Sequence, residues 1–169
     1  MRPGMEEEIM RQIKAQKLTR EAFAPYGSYV NITEPEGFHM GDFYNDQLIL
    51  PVSGQHAIAF SPLKFHKADC MLVDKAEYHN TTGEGIVVMD DDVVIHVAPA
   101  SGEPVPELTE AFLVPKGTMV KLNLGVWHCG GYCLNKDEAH VLFVLPQRIY
   151  KNDCVVVDYE EKDWMEIIL

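Results

Sequence analysis

The stretch EGIVVMDDDVVIHVA, residues 84–98, reads as two short β-branched runs around an acidic turn. Gly85–Met89 and Val93–Ala98 are rich in Val and Ile, as a pleated, half-buried surface favours. Asp90, Asp91 and Asp92 between them read as a solvated hairpin turn, because a calcium loop needs more oxygen ligands at set spacing. Similar runs recur on both sides, at Gln47–Leu50, His56–Phe60, Ala111–Val114, Thr118–Leu122, His140–Leu145 and Cys154–Tyr159. Turn residues punctuate them at Pro51–Gly54, Pro99–Pro106 and Gly130–Gly131. About eight short strands with such turns predict an all-β barrel or sandwich. No strand–helix–strand alternation supports a doubly wound sheet.

The two ends read differently. Ile9, Met10 and Ile13 stand at helical spacing, so Met5–Leu18 predicts a short helix, and residues 1–17 form a helical or frayed extension. Thr19 is placed to cap a second turn that Pro25 and Gly27 stop, with Glu21 favourable near its start. Trp164, Ile167 and Ile168 predict a short helix within Glu160–Leu169, docked on the barrel or on a second subunit. No repeat or linker divides the chain, and 169 residues suit a single domain over 1–169.

Charge narrows the partners. The chain carries 26 acidic side chains against 14 Lys and Arg, a net −12 with His neutral. That field repels nucleic acid and anionic membrane surfaces. A small anionic substrate then requires a local cation or a metal. There is no membrane-length apolar run, and MRPGMEEEIM lacks the basic-then-apolar order of a signal peptide, so the cytoplasm is expected. Cys70, Cys129, Cys133 and Cys154 then read as reduced thiols. Cys129 and Cys133 flank no complete zinc set, since His128 alone leaves a fourth ligand missing.

Two segments carry chemistry, EYHNTTGE at 77–84 and GTMVKLNLGVWH at 117–128. On a strand Glu77 and His79 share a face. Glu84 follows a turn-like Asn80–Gly83, and His128 arrives from a distant strand. Together they supply the N and O ligands of a divalent transition metal. The spacing alone is equally compatible with a solvated strand end. Trp127 should face away from His128 and pack as core, while His96 in its apolar strand reads as structural. His39, His56, His66 and His140 are scattered and take no role, and Tyr132 and Lys121 are candidate polar groups of the pocket.

These segments resemble the two-part cupin motif. Glu77-x-His79, four residues, then Glu84 matches its first half, with Glu77 in place of the usual first His. Gly117, five residues, Asn123-x-Gly125, two residues, His128 matches its second half, with Asn123 in place of Pro. More narrowly, the chain resembles the ureidoglycolate lyase family. LTREAFAPYGSYV at 18–30 is similar to that family's opening helix and strand, and GVWH at 125–128 to its Val-Trp-His segment. Arg148 and Asp153 fall where the family tends to have Arg and Asp. Asn80 replaces the usual Pro, Glu84 an often-found Gln, and an expected Arg falls near Leu63, beside Lys64.

The resemblance implies a cupin-type double-stranded β-helix, a jelly-roll barrel with short helical segments at both ends. It implies a lyase of purine catabolism that splits a ureido-hydroxy acid into glyoxylate and urea. A divalent metal (Zn, Ni, Mn or Fe) on His79, Glu84 and His128 suits that reaction, with Glu77 as a fourth ligand or the general base beside His79. Arg148 or Lys64 is expected to clamp the substrate carboxylate, with Tyr132 near. The rivals are a metal-dependent sugar isomerase or epimerase and a non-enzymatic ligand-binding barrel. A homodimer is expected, because barrel edges must be paired or covered.

Overall fold

The computed structural model describes residues 10–52 and 57–169, and its regular elements are mainly short strands. In chain order these are β1 (Arg11–Lys17), α1 (Arg20–Phe23), β2 (Gly27–Asn31), β3 (His39–Met40), β4 (Phe43–Tyr44), β5 (Ile58–His66), β6 (Met71–Val73), β7 (Lys75–Tyr78), β8 (Glu84–Val88) and β9 (Val93–Ala98). There follow β10 (Glu110–Val114), β11 (Thr118–Leu122), β12 (Trp127–His128), β13 (Tyr132–Cys133), β14 (Glu138–Pro146), α2 (Ile149–Asn152), β15 (Val155–Asp158) and β16 (Met165–Ile168). The long sheet runs β2-β11-β8-β14-β5, passes through β13 to β9, and continues β10-β1-β16-β6; β12, β7 and β15 extend from β9. Its curling makes a jelly-roll barrel of the cupin type.

The alternation of side chains builds two cores. Val93, Ile95 and Val97 of β9 point into the barrel and meet Ile86, Val88, Phe112 and Val141. Val94 and Ala98 point the other way, into a second core with Ile13, Trp127, Met165 and Ile167. Strand β9 is therefore buried on both faces, which is why its sequence is a nearly unbroken apolar run.

Both ends of the chain depart from the helical expectation. Residues 11–17 are a strand, parallel to β10 and to β16. Ile13 and Ala15, two apart, bury one face in the second core, and this period-2 burial outweighs the weak helical spacing. The earlier part of the expected helix lies outside the described residues. At the other end, a single 3-10 turn at Glu161–Asp163 leads into β16, where Met165 and Ile167 are buried. Thr19 does cap α1, its hydroxyl accepting the Ala22 N–H at 3.2 Å.

Three further expectations change. Gln47–Leu50 forms no strand. The run expected at His56–Phe60 is the start of the longer β5, with His56 outside the described residues. The acidic turn is no hairpin, because β8 pairs with β11 and β14 while β9 pairs with β10, β12 and β13. Its carboxylates serve as acceptors for N–H groups of neighbouring segments. Asp91 accepts from Asn135 N, Asn135 Nδ2 and Lys136 N, each at 2.9 Å. Asp90 accepts from His140 N and Nδ1, and Asp92 from Lys116 N.

Burial raises the Asp91 pKa, but the hydrogen bonds from Lys136 and Asn135 outweigh it and bring it down to about 2. A depressed folded-state pKa stabilises above the unfolded value and is lost as pH falls through the folded one. Asp91→Ala is expected to lower unfolding stability by about 1–3 kcal/mol at pH 7. The gap from wild type should shrink between about pH 4 and pH 2, as urea titrations at several pH values will read.

Candidate metal centre

Strand phase aims the site. Tyr78 turns to the second core and packs on Trp127, with ring centroids 4.5 Å apart. Glu77 and His79, on either side of Tyr78, therefore face the opposite way. Trp127 donates from Nε1 to Ser101 Oγ at 3.0 Å, which leaves its neighbour His128 on the inner side, in register with Glu77. Two glycines make the approach possible. A Cβ at Gly83 would lie 2.2 Å from the Leu122 carbonyl oxygen, so the turn before Glu84 admits no side chain there. Gly125, at φ +77°, turns the chain into Val126–His128 and donates its N–H to the His79 carbonyl at 3.0 Å.

His79, Glu84 and His128 meet in the barrel interior at 4%, 3% and 6% exposure, so water does not solvate them. Glu84 Oε2 lies 3.0 Å from His79 Nε2 and 3.3 Å from His128 Nε2. The other ring nitrogens are fixed by backbone. His79 Nδ1–H donates to the Asp153 carbonyl at 2.7 Å, and His128 Nδ1–H to the Val126 carbonyl at 2.8 Å. Both Nε2 atoms thus point at one carboxylate, the orientation of metal-ligating imidazoles.

Burial pushes the Glu84 pKa up, but the charge and hydrogen bond of His128, with His79, reverse this and bring it to about 2. Burial pulls His128 down, and Glu84 more than offsets this, raising it to about 9. Buried His96 is held near 4 by desolvation and the His128 charge, so it is neutral at pH 7.

A divalent cation fits this set. The three ligand atoms lie within 4.8 Å of one another. Glu84 Oε1 is buried and has no hydrogen-bond partner among the described residues. Two imidazoles and a carboxylate suit Zn, Ni, Mn or Fe.

The other expected site residues divide. Glu77 and Arg148 line the same cavity of about 300 Å³ as His79 and Glu84. Glu77 stands outside the ligand triad, its Oε2 accepting from the Cys154 thiol at 3.1 Å. Arg148 holds a left-handed backbone, φ 60°, at the entry to α2. Lys64 does not join them. Leu63 faces the cavity, so Lys64 on the alternate side points out and pairs with Glu138 at 2.7 Å. Nor does Tyr132, whose hydroxyl donates to the Leu72 carbonyl at 2.6 Å in a separate cavity with His96 and Cys129. Lys121 bonds Asn123 at 2.8 Å and borders a larger open cleft beside β2, which gathers no ligand set. All four cysteines are free, and no zinc set forms around Cys129 and Cys133 among the described residues.

Asp153 matters more than its sequence context suggests. Its carboxylate accepts from Asn80 N, Thr81 N and Thr81 Oγ1, while its carbonyl holds His79. The turn 79–81 is thereby clasped to the segment between α2 and β15. Only position relative to the last barrel strand singles Asp153 out in the sequence.

No helix among the described residues is long and apolar enough to cross a membrane. A jelly-roll barrel with a buried two-His, one-carboxylate centre defines a metal-dependent enzyme of the cupin class. A profile of the family described as ureidoglycolate lyase matches residues 10–166, and the chain belongs to that family. The ureidoglycolate lyase of Pseudomonas aeruginosa (strain UCBPP-PA14) is 25% identical over 126 residues, 70% of this chain and 75% of that protein. The Pseudomonas paraeruginosa ureidoglycolate lyase is 25% identical over the same shares. Among solved structures, Bacillus subtilis oxalate decarboxylase superposes with TM-score 0.43 at 13% identity, over 61% of this chain and 24% of that one. The 3,5-epimerase of dTDP-6-deoxy-D-glucose from Legionella pneumophila gives 0.38 at 15%, over 67% and 55%.

Elemental analysis should find about one divalent ion per chain, and His79→Ala or His128→Ala should abolish its retention while circular dichroism stays unchanged. With its pKa near 9, metal-free His128 is protonated at pH 7, whereas a ligand must be neutral. Metal uptake at pH 7 should therefore release about one proton, and affinity should fall about tenfold per pH unit below 9. Calorimetry in buffers of different ionisation enthalpy measures both.

Proposed function

We propose that this ureidoglycolate-lyase-like enzyme cleaves the C–N bond of a small ureido-hydroxy acid, giving glyoxylate and urea. The convergence of His79, Glu84 and His128 beside a carboxylate that is free of the triad carries the reading. The triad is the metal set, and Glu77 is the proton acceptor rather than a fourth ligand. Arg148, at the cavity wall, clamps the substrate carboxylate through a charge-assisted pair.

A cation held by the triad supplies Lewis acidity that lowers the pKa of a hydroxyl bound beside it. Glu77 takes the hydroxyl proton, and the C–O bond becomes the carbonyl of glyoxylate. The C–N bond breaks with its electron pair on nitrogen, which receives a proton from Glu77. His79 and Glu77 lie two residues apart on one face, so positioning and proton transfer share one strand end. Glu77→Gln should lower the kcat for glyoxylate release from ureidoglycolate by about 10²–10⁴-fold with metal content unchanged. Arg148→Ala should act mainly on KM. Full activity in Glu77→Gln would refute the assignment.

The chain acts as one domain, in the cytoplasm, on a small molecule, and without nucleic acid, whose phosphates the net −12 repels. It pairs with a second copy. Phe60 and Pro62 of β5, Leu142 of β14, Val87 of β8 and Met89 just after it form an uncharged outward stretch, while Lys64, Glu138 and His140 sit toward one end of the same face. Phe60 is 66% and Met89 57% exposed, which is unusual for such large apolar side chains so close together on one face. Two chains of the same strong charge can approach closely only through an uncharged face. Light scattering should give a dimer at micromolar concentration, and Phe60→Glu with Met89→Glu a monomer.

A further inference from the structure

The cavity that holds His79 and Glu84 is unequal in its two halves. Its polar floor consists of Glu77, His79, Glu84 and Cys154. The wall above is Ala59, Leu63, Phe143, Leu145, Pro146 and Ile149. Polar groups along that wall are few: Ser61, Arg148 and the outer ring of Tyr150, which is 77% exposed. The volume of about 300 Å³ exceeds what glyoxylate and urea together fill.

A ureido group is a poor match for this wall. Its terminal NH₂ brings two donors, and the side chains of Leu63, Phe143 and Leu145 offer them no acceptor. An alkyl group in the same place loses nothing and removes apolar surface from water. We propose that the preferred substrate is an N-acyl-2-hydroxyglycine with an apolar acyl group, R–CO–NH–CH(OH)–COO⁻. The inference rests on the lyase reading above and extends it to the group on the far side of the scissile bond.

The chemistry is unchanged and balances. The hydroxyl loses its proton and becomes the aldehyde of glyoxylate. The C–N bond breaks, its electron pair stays on nitrogen, and nitrogen gains the proton. The products are R–CO–NH₂ and glyoxylate, with no oxidant or reductant. Only R contacts the wall formed by β5 and β14, while the carboxylate faces Arg148 and the hydroxyl faces Glu77.

The test compares metal-loaded protein on two substrates of similar shape, ureidoglycolate and N-isobutyryl-2-hydroxyglycine, by glyoxylate release. A kcat/KM at least about tenfold higher for the isobutyryl compound is expected, the scale of one or two apolar groups in a pocket. Leu63→Asn, at an exposed position, should collapse that ratio toward one. Equal rates or a preference for ureidoglycolate overturn the inference and leave the lyase reading intact. If neither is cleaved, the lyase reading fails, and binding decides the inference. N-isobutyrylglycine and N-carbamoylglycine lack the reacting hydroxyl and are titrated against the same protein. Tighter binding of the isobutyryl compound supports the apolar subsite, and equal or weaker binding overturns it.

Discussion

A buried negative charge organises this molecule. Glu84 begins a strand inside the barrel, where a lone carboxylate costs several kcal/mol. Two imidazoles offset that cost, and each is held by a backbone carbonyl, one from Asp153 and one from Val126. The arrangement ties three distant parts of the chain to one point. The turn 79–83, the segment 123–128 and the segment between α2 and β15 must all be in place before Glu84 is compensated.

The second core sets the aim of that centre. Trp127 and Tyr78 pack together away from the barrel interior, so His128, Glu77 and His79 are forced inward by strand alternation. That packing depends on cover from β1, β16 and β6, which come from sequence far from any ligand. The terminal strands hence act on the site through the phase of β7 and β12, without touching it.

What the sequence made legible follows from the range of each interaction. Strands β8 to β11 announce themselves by composition and nearby turns. The ligand triad His79, Glu84 and His128, with Glu77 beside it, follows from a period of two, one turn and one Gly-x-x-His segment. Strands β1 and β16 stayed hidden because each is short, offers few apolar residues and pairs in parallel with a partner over 90 residues or more. Their stability is non-local, and Ile13 alone fits a helix or a strand. Lys64 was misplaced because β5 is apolar on both sides, Phe60 outward and Leu63 inward, so the pattern sets no phase. Asp153 and the Asp90–Asp92 run act through carboxylates that accept backbone N–H groups, and no periodicity marks such acceptors.

The two carboxylates near the centre are separated by their surroundings. Glu84 is enclosed, touches two imidazoles and stays ionised, which fits it to hold a cation. Glu77 is half-buried and accepts a hydrogen bond from the Cys154 thiol, whose pKa burial and Glu77 itself push up to about 12. That sulfur remains a protonated donor at neutral pH and orients Glu77. One carboxylate thus belongs to the ligand triad, and the other stands outside it. Such a division arises when environment, rather than residue type, assigns acid and base. The apolar side chains Phe143 and Leu145 that line the cavity beside both carboxylates limit the water around them, which strengthens each one's interactions.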